Sequence, residues 1–531
     1  MSESYDVVVV GAGHNGLVSA AYLAKAGRKV LVVERREVPG GTTVTEEFAP
    51  GFKASAGPDL CGLLLPQVVQ DLDLRRHGLE LLELDPAVFA PLPGGKHLTL
   101  WRDRKKTLGE IERHSRADAE AYPRFADLIS HVASFLRPTL SRPAPVPEVR
   151  NAADLLNLLK LGWRFRQLGS RYMHEALRVL PMSASDFLNE WFETEVLKAC
   201  LAAPGLYGVS LGPRSAGTTA LFLYHQLGEP GWPLLASRLP RSGMGSVSRA
   251  IARAAEGYGA HFRTGAPVLQ ILVENGRATG VVLDGGEEIS AERVVSNADP
   301  RTTFLKLVDP SELEPRFLSD VRAIRYRGVM AKLMLALGEL PDFTSLPGKD
   351  AAAQHRGLIH IGPDLDYLER AYDDAKYGRP SARPFLQAVI PSLADPTLAP
   401  PGKHVMAVTM QYAPYHLREG SWKQRGGALA DAIVATLSEY APNLRNAVLH
   451  RKLLTPLDYE ETYGSPEGSL HHGELALDQL FFMRPVAGWA RYRTPIHGLY
   501  LCGSGTHPGG GVSGACGYNA GRQILRDWNE L

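Results

Sequence analysis

The stretch from Tyr5 to Glu34 constrains this chain more than any other. Tyr5 to Val10 is a short, continuously apolar run rich in β-branched valine, as a parallel strand buried on both faces requires. Gly11-Ala12-Gly13-His14-Asn15-Gly16 follows at once. Leu17 to Ala26 has helical composition, with Ala20, Ala21 and Ala24 small enough to lie close to a sheet. Gly27 stands where a glycine ends a helix. Lys29 to Val33 reads as a second strand, and Glu34 sits at its end. Strand, G-x-G-x-x-G, helix, strand and acid within one short unit predict a dinucleotide-binding βαβ fold. Each part has a physical task. Gly11 permits the tight turn, Gly13 lets the backbone approach a pyrophosphate, and Gly16 lets the helix lie against the strand. The helix start offers unpaired N–H groups and a positive dipole end to the phosphates. Glu34 can accept hydrogen bonds from a ribose diol.

Two later stretches read as completing the same domain. Arg241-Ser-Gly-Met-Gly245-Ser246 precedes a helix reaching about Glu256, with Ser246 as the expected N-cap. Val268–Val273 and Ala278–Leu283 flank Asn275-Gly276, a strong hairpin signal. A strand ending Val294-Val295-Ser296 follows. Near the end, Gly498 to Gly503 reads as a short buried strand. A glycine-rich run to Gly514 and a helix from Ala515 to Trp528 come next. The expected architecture is α/β: a discontinuous Rossmann-like domain over 1–60, 240–300 and 496–531. An α+β domain over 61–239 and 301–495 would carry a helical insertion at about 105–239.

The 58 basic and 57 acidic residues leave a net charge of +1, which gives no electrostatic reason to expect nucleic acid as a partner. Four scattered cysteines make no disulfide framework and no C-x-x-C, and no metal-ligand spacing is present, so no metal is expected. That usage suits a reducing, cytoplasmic compartment. No apolar run is long enough to span a bilayer. The first residues have neither the basic start nor the apolar core of a signal peptide. Nothing in the sequence reports oligomeric state.

The fingerprint alone does not choose between NAD and FAD. The residues after the acid help. Arg35-Arg36-Glu37-Val38-Pro39-Gly40-Gly41-Thr42 resembles the FAD-containing family of flavin amine oxidases and phytoene desaturases, in which an acid, a short spacer and paired glycines follow the second strand. The order helix, β-meander, return strand is similar too, as is the closing motif from Cys502 to Asn519. Thr45-Glu-Glu47, Pro50-Gly-Phe-Lys53, Gly473 to Leu480 and Arg484-Pro485 resemble one branch of the phytoene-desaturase-like flavoproteins over most of the chain.

The resemblance implies noncovalent FAD, held by Gly11, Gly13, His14, Gly16, Glu34, Arg35, Gly40, Gly41 and Thr42. It implies further contacts from Val268, Gly503, Gly511 and Val512. Cys516 follows the closing strand, whereas the cysteine that attaches FAD in some amine oxidases precedes it, so a buried structural thiol is the expectation there. No second G-x-G-x-x-G follows a strand, so no separate NAD(P) domain is expected.

The resemblance further implies an oxidoreductase acting on a lipophilic small molecule, by desaturating a C–C bond or by redox-neutral isomerisation of a polyene. An amine or amino-acid oxidase, and a flavin-stabilised binding or regulatory protein at a membrane, are the competing readings. His472 is the candidate proton acceptor, against a histidine satisfied by backbone or solvent. Leu155 to Arg166 mixes aliphatic, aromatic and basic residues, as a helix resting on an anionic bilayer surface, peripheral to the inner membrane, would. A helix packed into the substrate domain is the alternative.

Overall fold

The computed structural model describes residues 4–146, 152–228, 238–348 and 352–529. Ser4–Val10 lies inside a seven-stranded sheet, parallel to Val30–Val33 on one side and to Glu288–Ser296 on the other. His261–Arg263 extends the sheet beyond Val30–Val33. The far edge of Glu288–Ser296 is shared. Its first half pairs antiparallel with Arg277–Leu283, and its last residues pair parallel with Leu499–Leu501. One sheet therefore draws its strands from three separated stretches of chain, as the apolar runs predict.

The continuous apolar run has a two-sided cause. Val7 and Val9 face a layer built from the helices His14–Lys25, Gly245–Gly257 and Ala515–Asn529. Val8 and Val10 face the opposite layer, with Phe304, Phe317 and Val321. Asn275 and Gly276, at φ 51° and 73°, turn the hairpin as their sequence predicts. Two expectations shift. The first helix begins at His14, not Leu17, because polar residues fill its first turn and leave no apolar pattern to mark it. The helix expected to be capped by Ser246 begins at Gly245 after Met244. Left-handed Gly243 turns the chain earlier, and the Ser246 hydroxyl donates back to the Gly243 carbonyl at 2.9 Å.

A second seven-stranded sheet runs in the order Val448–Leu454, Met330–Leu337, His404–Gln411, Phe385–Val389, Leu358–Ile361, Val88–Pro91, His97–Leu100. Every pairing is antiparallel except that of Leu358–Ile361 with Val88–Pro91. Alternate residues such as Leu333, Val408, Leu386 and Ile359 pack under the helix Trp422–Tyr440. The other face looks toward the first sheet's loops. The described residues of 104–146 and 152–225 form a helical insertion, as expected, running from Arg104–Glu112 to Thr218–His225. No described helix is long and apolar enough to cross a membrane.

Candidate functional site

Two connected hollows meet where the loops of the first sheet approach the open face of the second. The first is a crevice at the C-terminal ends of Ser4–Val10 and Val30–Val33, where ligands bind in open parallel sheets. Gly11, Gly13 and His14 form its floor. Gly13 is the N-cap of the first helix, so the free amides of that helix face the crevice. The glycines are dictated by contact. A methyl group at Gly13 would lie 2.6 Å from the Asn297 side-chain amide, and one at Gly16 would lie 2.3 Å from the Gly11 carbonyl oxygen. Gly16 thus sits beneath the turn rather than in the crevice wall.

Glu34 is 7% exposed at the crevice edge. Its Oε2 accepts the Ala12 N–H at 2.8 Å and its Oε1 accepts the Arg36 N–H at 3.0 Å. Each oxygen keeps a lone pair for a ligand hydroxyl. The Gly40 N–H donates to the Ala12 carbonyl at 2.8 Å, laying the Gly40-Gly41 pair across the turn. A methyl group at Gly41 would touch the Gly13 Cα at 3.4 Å. Thr42, Val268 and Arg35 complete this wall. The Arg35 guanidinium is committed elsewhere: it donates to the carbonyl of Thr462 at 2.7 Å, tying the crevice rim to the end of the helix Pro456–Tyr463.

The second hollow has a volume of about 190 Å³ and shares His14, Thr42, Leu470 and Ser504 with the crevice. Gly511 and Val512 line it, while Gly503 packs on the strand end, where a methyl group would lie 2.6 Å from the Asn297 carbonyl oxygen. His225 and His360 also line it, and burial lowers both to a pKa of about 4. His471 lines it too and is lowered to about 3 by burial. These imidazoles are neutral at physiological pH. Asp59 faces the same space but pairs with the Lys332 ammonium at 2.7 Å. Burial pushes the carboxyl up and the amine down.

The two adjacent histidines part company. His471 turns to the second hollow, with its Nε2 3.1 Å from the Tyr207 carbonyl oxygen. His472 turns to the crevice in a left-handed conformation, φ 54°, and its Nδ1 has no hydrogen-bond partner. The His14 Nε2 is likewise buried without a partner. Unpartnered buried ring nitrogens, a cradle that methyl groups would fill and a helix N-terminus together fit FAD. His507, in contrast, reaches away from both hollows to the Thr139 carbonyl at 2.9 Å. Cys516 is buried, with its sulfur 3.3 Å from the Gly509 carbonyl oxygen.

Three features escaped sequence reasoning. Asn297 packs beneath all three fingerprint glycines. Arg484, 2% exposed, donates to the carbonyls of His471, Gly473, Glu474, Gln479 and Ser504, and so fixes both histidines against the closing loop. Lys332 did leave a signal, as a single charge inside the apolar run Val329 to Leu337. Among the described residues no cluster of His, Cys, Asp and Glu is placed to hold a metal ion.

Comparison with known proteins agrees with this geometry. A family described as flavin containing amine oxidoreductase matches residues 16–523. Pyridine nucleotide-disulfide oxidoreductase domain-containing protein 2 of Rattus norvegicus is 40% identical, over 100% of this chain and 95% of its own. A limonene dehydrogenase polypeptide of Castellaniella defragrans is 30% identical, over 98% and 94%. A solved structure of putrescine oxidase bound to putrescine superposes with a TM-score of 0.62, covering 100% of each chain, at 17% identity.

Proposed function

The chain belongs to the flavin-containing amine oxidoreductase family, and on that footing we propose that it desaturates a carbon–carbon bond of a lipophilic substrate. It is an FAD-dependent oxidoreductase. One observation carries the finer reading: among the described residues the hollow beside the crevice holds no carboxylate free to anchor an ammonium, because Asp59 is already held by Lys332. The 30% identity to a limonene dehydrogenase polypeptide supports it.

FAD, when bound, supplies a hydride acceptor. The chain's residues do the rest. The amides at the start of His14–Lys25 hold the pyrophosphate, and Glu34 holds the ribose. Gly11, Gly13, Gly40, Gly41, Thr42 and Val268 shape the crevice, and Arg35 braces its rim. Gly503, Gly511 and Val512 would hold the closing loop beside FAD. Leu60, Leu63, Val88 and Val512 exclude water from the substrate space. We assign the proton to His472, at the junction with the crevice; His471 lines the substrate hollow and also has an unpartnered Nδ1, so unchanged kcat in His472→Gln would overturn the assignment in favour of His471. We propose the domain division that the sequence suggests, with FAD held noncovalently by residues 1–60, 240–300 and 496–531.

We also propose peripheral contact with an anionic membrane on the cytoplasmic side. Leu155, Leu156, Leu159 and Trp163 fall on one stripe of the helix Ala152–Gln167 and are 48%, 54%, 59% and 62% exposed. Lys160, Arg164 and Arg166 stand on the same helix.

The test of the activity is anaerobic mixing of the FAD-loaded protein with limonene, a linear polyene and putrescine. Bleaching of the flavin with a product two hydrogens lighter from a hydrocarbon is the expected result. Bleaching by the amine alone, with an imine-derived product, would replace this reading with amine oxidation.

A further inference from the structure

The open face of the second sheet carries a pattern that a hydrocarbon site does not need. Its strands bury one face under the helix Trp422–Tyr440 through Ile359, Ile361, Leu386, Ala388, Val408, Met410, Ala331 and Leu333. The residues between them point the other way. Register then sets four of these side by side: His360 opposite Gln387, Gln387 opposite Thr409, and Thr409 opposite Lys332. Four adjacent strands thus present one unbroken row of hydrogen-bonding side chains. His360, Gln387 and Thr409 line the hollow beside the flavin crevice, and Lys332 reaches Asp59 at its margin.

Lys332 is satisfied by Asp59 and the Gly57 carbonyl. The rest of the row is not. Thr409 is 6% exposed, yet neither its hydroxyl nor the Gln387 amide has a hydrogen-bond partner among the described residues. The His360 Nε2 lies 3.0 Å from the Gly362 carbonyl oxygen, so in the neutral ring the hydrogen sits there and Nδ1 is left as an acceptor. His225 lines the same space and makes no hydrogen bond among the described residues. A bare hydrocarbon would drive water from these groups and give them nothing in return, a loss of about tenfold or more in affinity for each. An ammonium would meet neutral imidazoles and a carboxylate already paired.

We infer that the row is a recognition edge for substrate oxygen, and that the hollow takes a neutral lipophile carrying a hydroxyl or carbonyl group. This inference rests on the reading of the hollow as the substrate site.

The test uses the FAD-loaded protein and four probes built on one ring skeleton: limonene, perillyl alcohol, carvone and perillyl amine. Equilibrium binding is read anaerobically from the shift of the flavin spectrum, and turnover separately from bleaching. The alcohol or the ketone should bind at least about tenfold more tightly than limonene or the amine. Gln387→Leu and the near-isosteric Thr409→Val should each weaken the oxygenated probe more than limonene. Equal or tighter binding of limonene or the amine would overturn the inference, as would binding by none of the four, or a preference untouched in both variants. The two readings fail separately. Preferential binding without bleaching sustains the recognition edge and counts against desaturation. Dehydrogenation of limonene with no preference for oxygen does the reverse.

Discussion

At Glu34 both carboxylate oxygens take a backbone N–H, from Ala12 and from Arg36, so the side chain proposed to hold the ribose also braces the glycine turn. Glu34→Ala should weaken FAD binding by about ten- to a hundredfold, the scale of lost hydrogen bonds to a charged group. Fluorescence titration of the apoprotein with FAD measures it, and an unchanged Kd would remove Glu34 from the cofactor site. Arg484 is the opposite kind of residue, touching neither hollow but holding five carbonyls around them. Arg484→Met leaves those buried oxygens short of donors and should lower stability by at least about 3 kcal/mol. Arg484→Lys should not rescue it, because a point donor cannot span the fork. Thermal melting of both variants decides. Glu34 was legible in the sequence because its place after the second strand follows from chain order. Arg484 was visible only as a motif without a task, because the five carbonyls it joins are brought together by folding.

Among the elements, the first helix and the strand before it meet through a glycine that cannot be enlarged. Gly16→Ala would place a methyl group 2.3 Å from the Gly11 carbonyl oxygen. It should cost about 1–3 kcal/mol through overpacking, seen as a fall in melting temperature together with loss of bound flavin. The helix Ala152–Gln167 makes a separate prediction. Its Leu155, Leu156, Leu159 and Trp163 are exposed, with no core over them among the described residues. Leu159→Glu with Trp163→Glu should reduce sedimentation with anionic vesicles about tenfold or more while flavin content stays constant. Equal sedimentation would remove the membrane proposal and leave the enzyme reading intact. Both elements were legible because hydrophobic period shows where a helix runs. Where the first helix starts was not, since a polar first turn carries no period. Whether the apolar stripe on the later helix is covered was not legible either, since that depends on neighbours distant in the chain.

For the molecule as a whole, acid is the expected weakness. Burial lowers His14, His225, His360 and His507 to about 4 and His471 to about 3. In the unfolded chain each titrates near 6.5. Between those values the unfolded state binds protons that the folded state refuses, so stability rises with pH across the window and is lost as pH falls below about 6.5. The expected slope is up to about 1.4 kcal/mol per pH unit for each histidine. Melting temperatures from pH 7.5 to pH 5 measure it, and a flat profile would mean that these rings are solvated. Cofactor attachment is also read on the whole protein. Acid precipitation should release the flavin to the supernatant, whereas colour kept in the pellet would point to Cys516. The sequence by itself determined the dinucleotide unit, because strand, glycine turn, helix and acid are neighbours in the chain, while the flavin family was legible through the resemblance of the residues after the acid and of the closing motif. Tertiary structure alone decided that His471 and His472 face different hollows, that Asp59 is spoken for by Lys332, and that His360, Gln387, Thr409 and Lys332 form one row. Those residues lie on separate strands, and only the register of a folded sheet makes them neighbours.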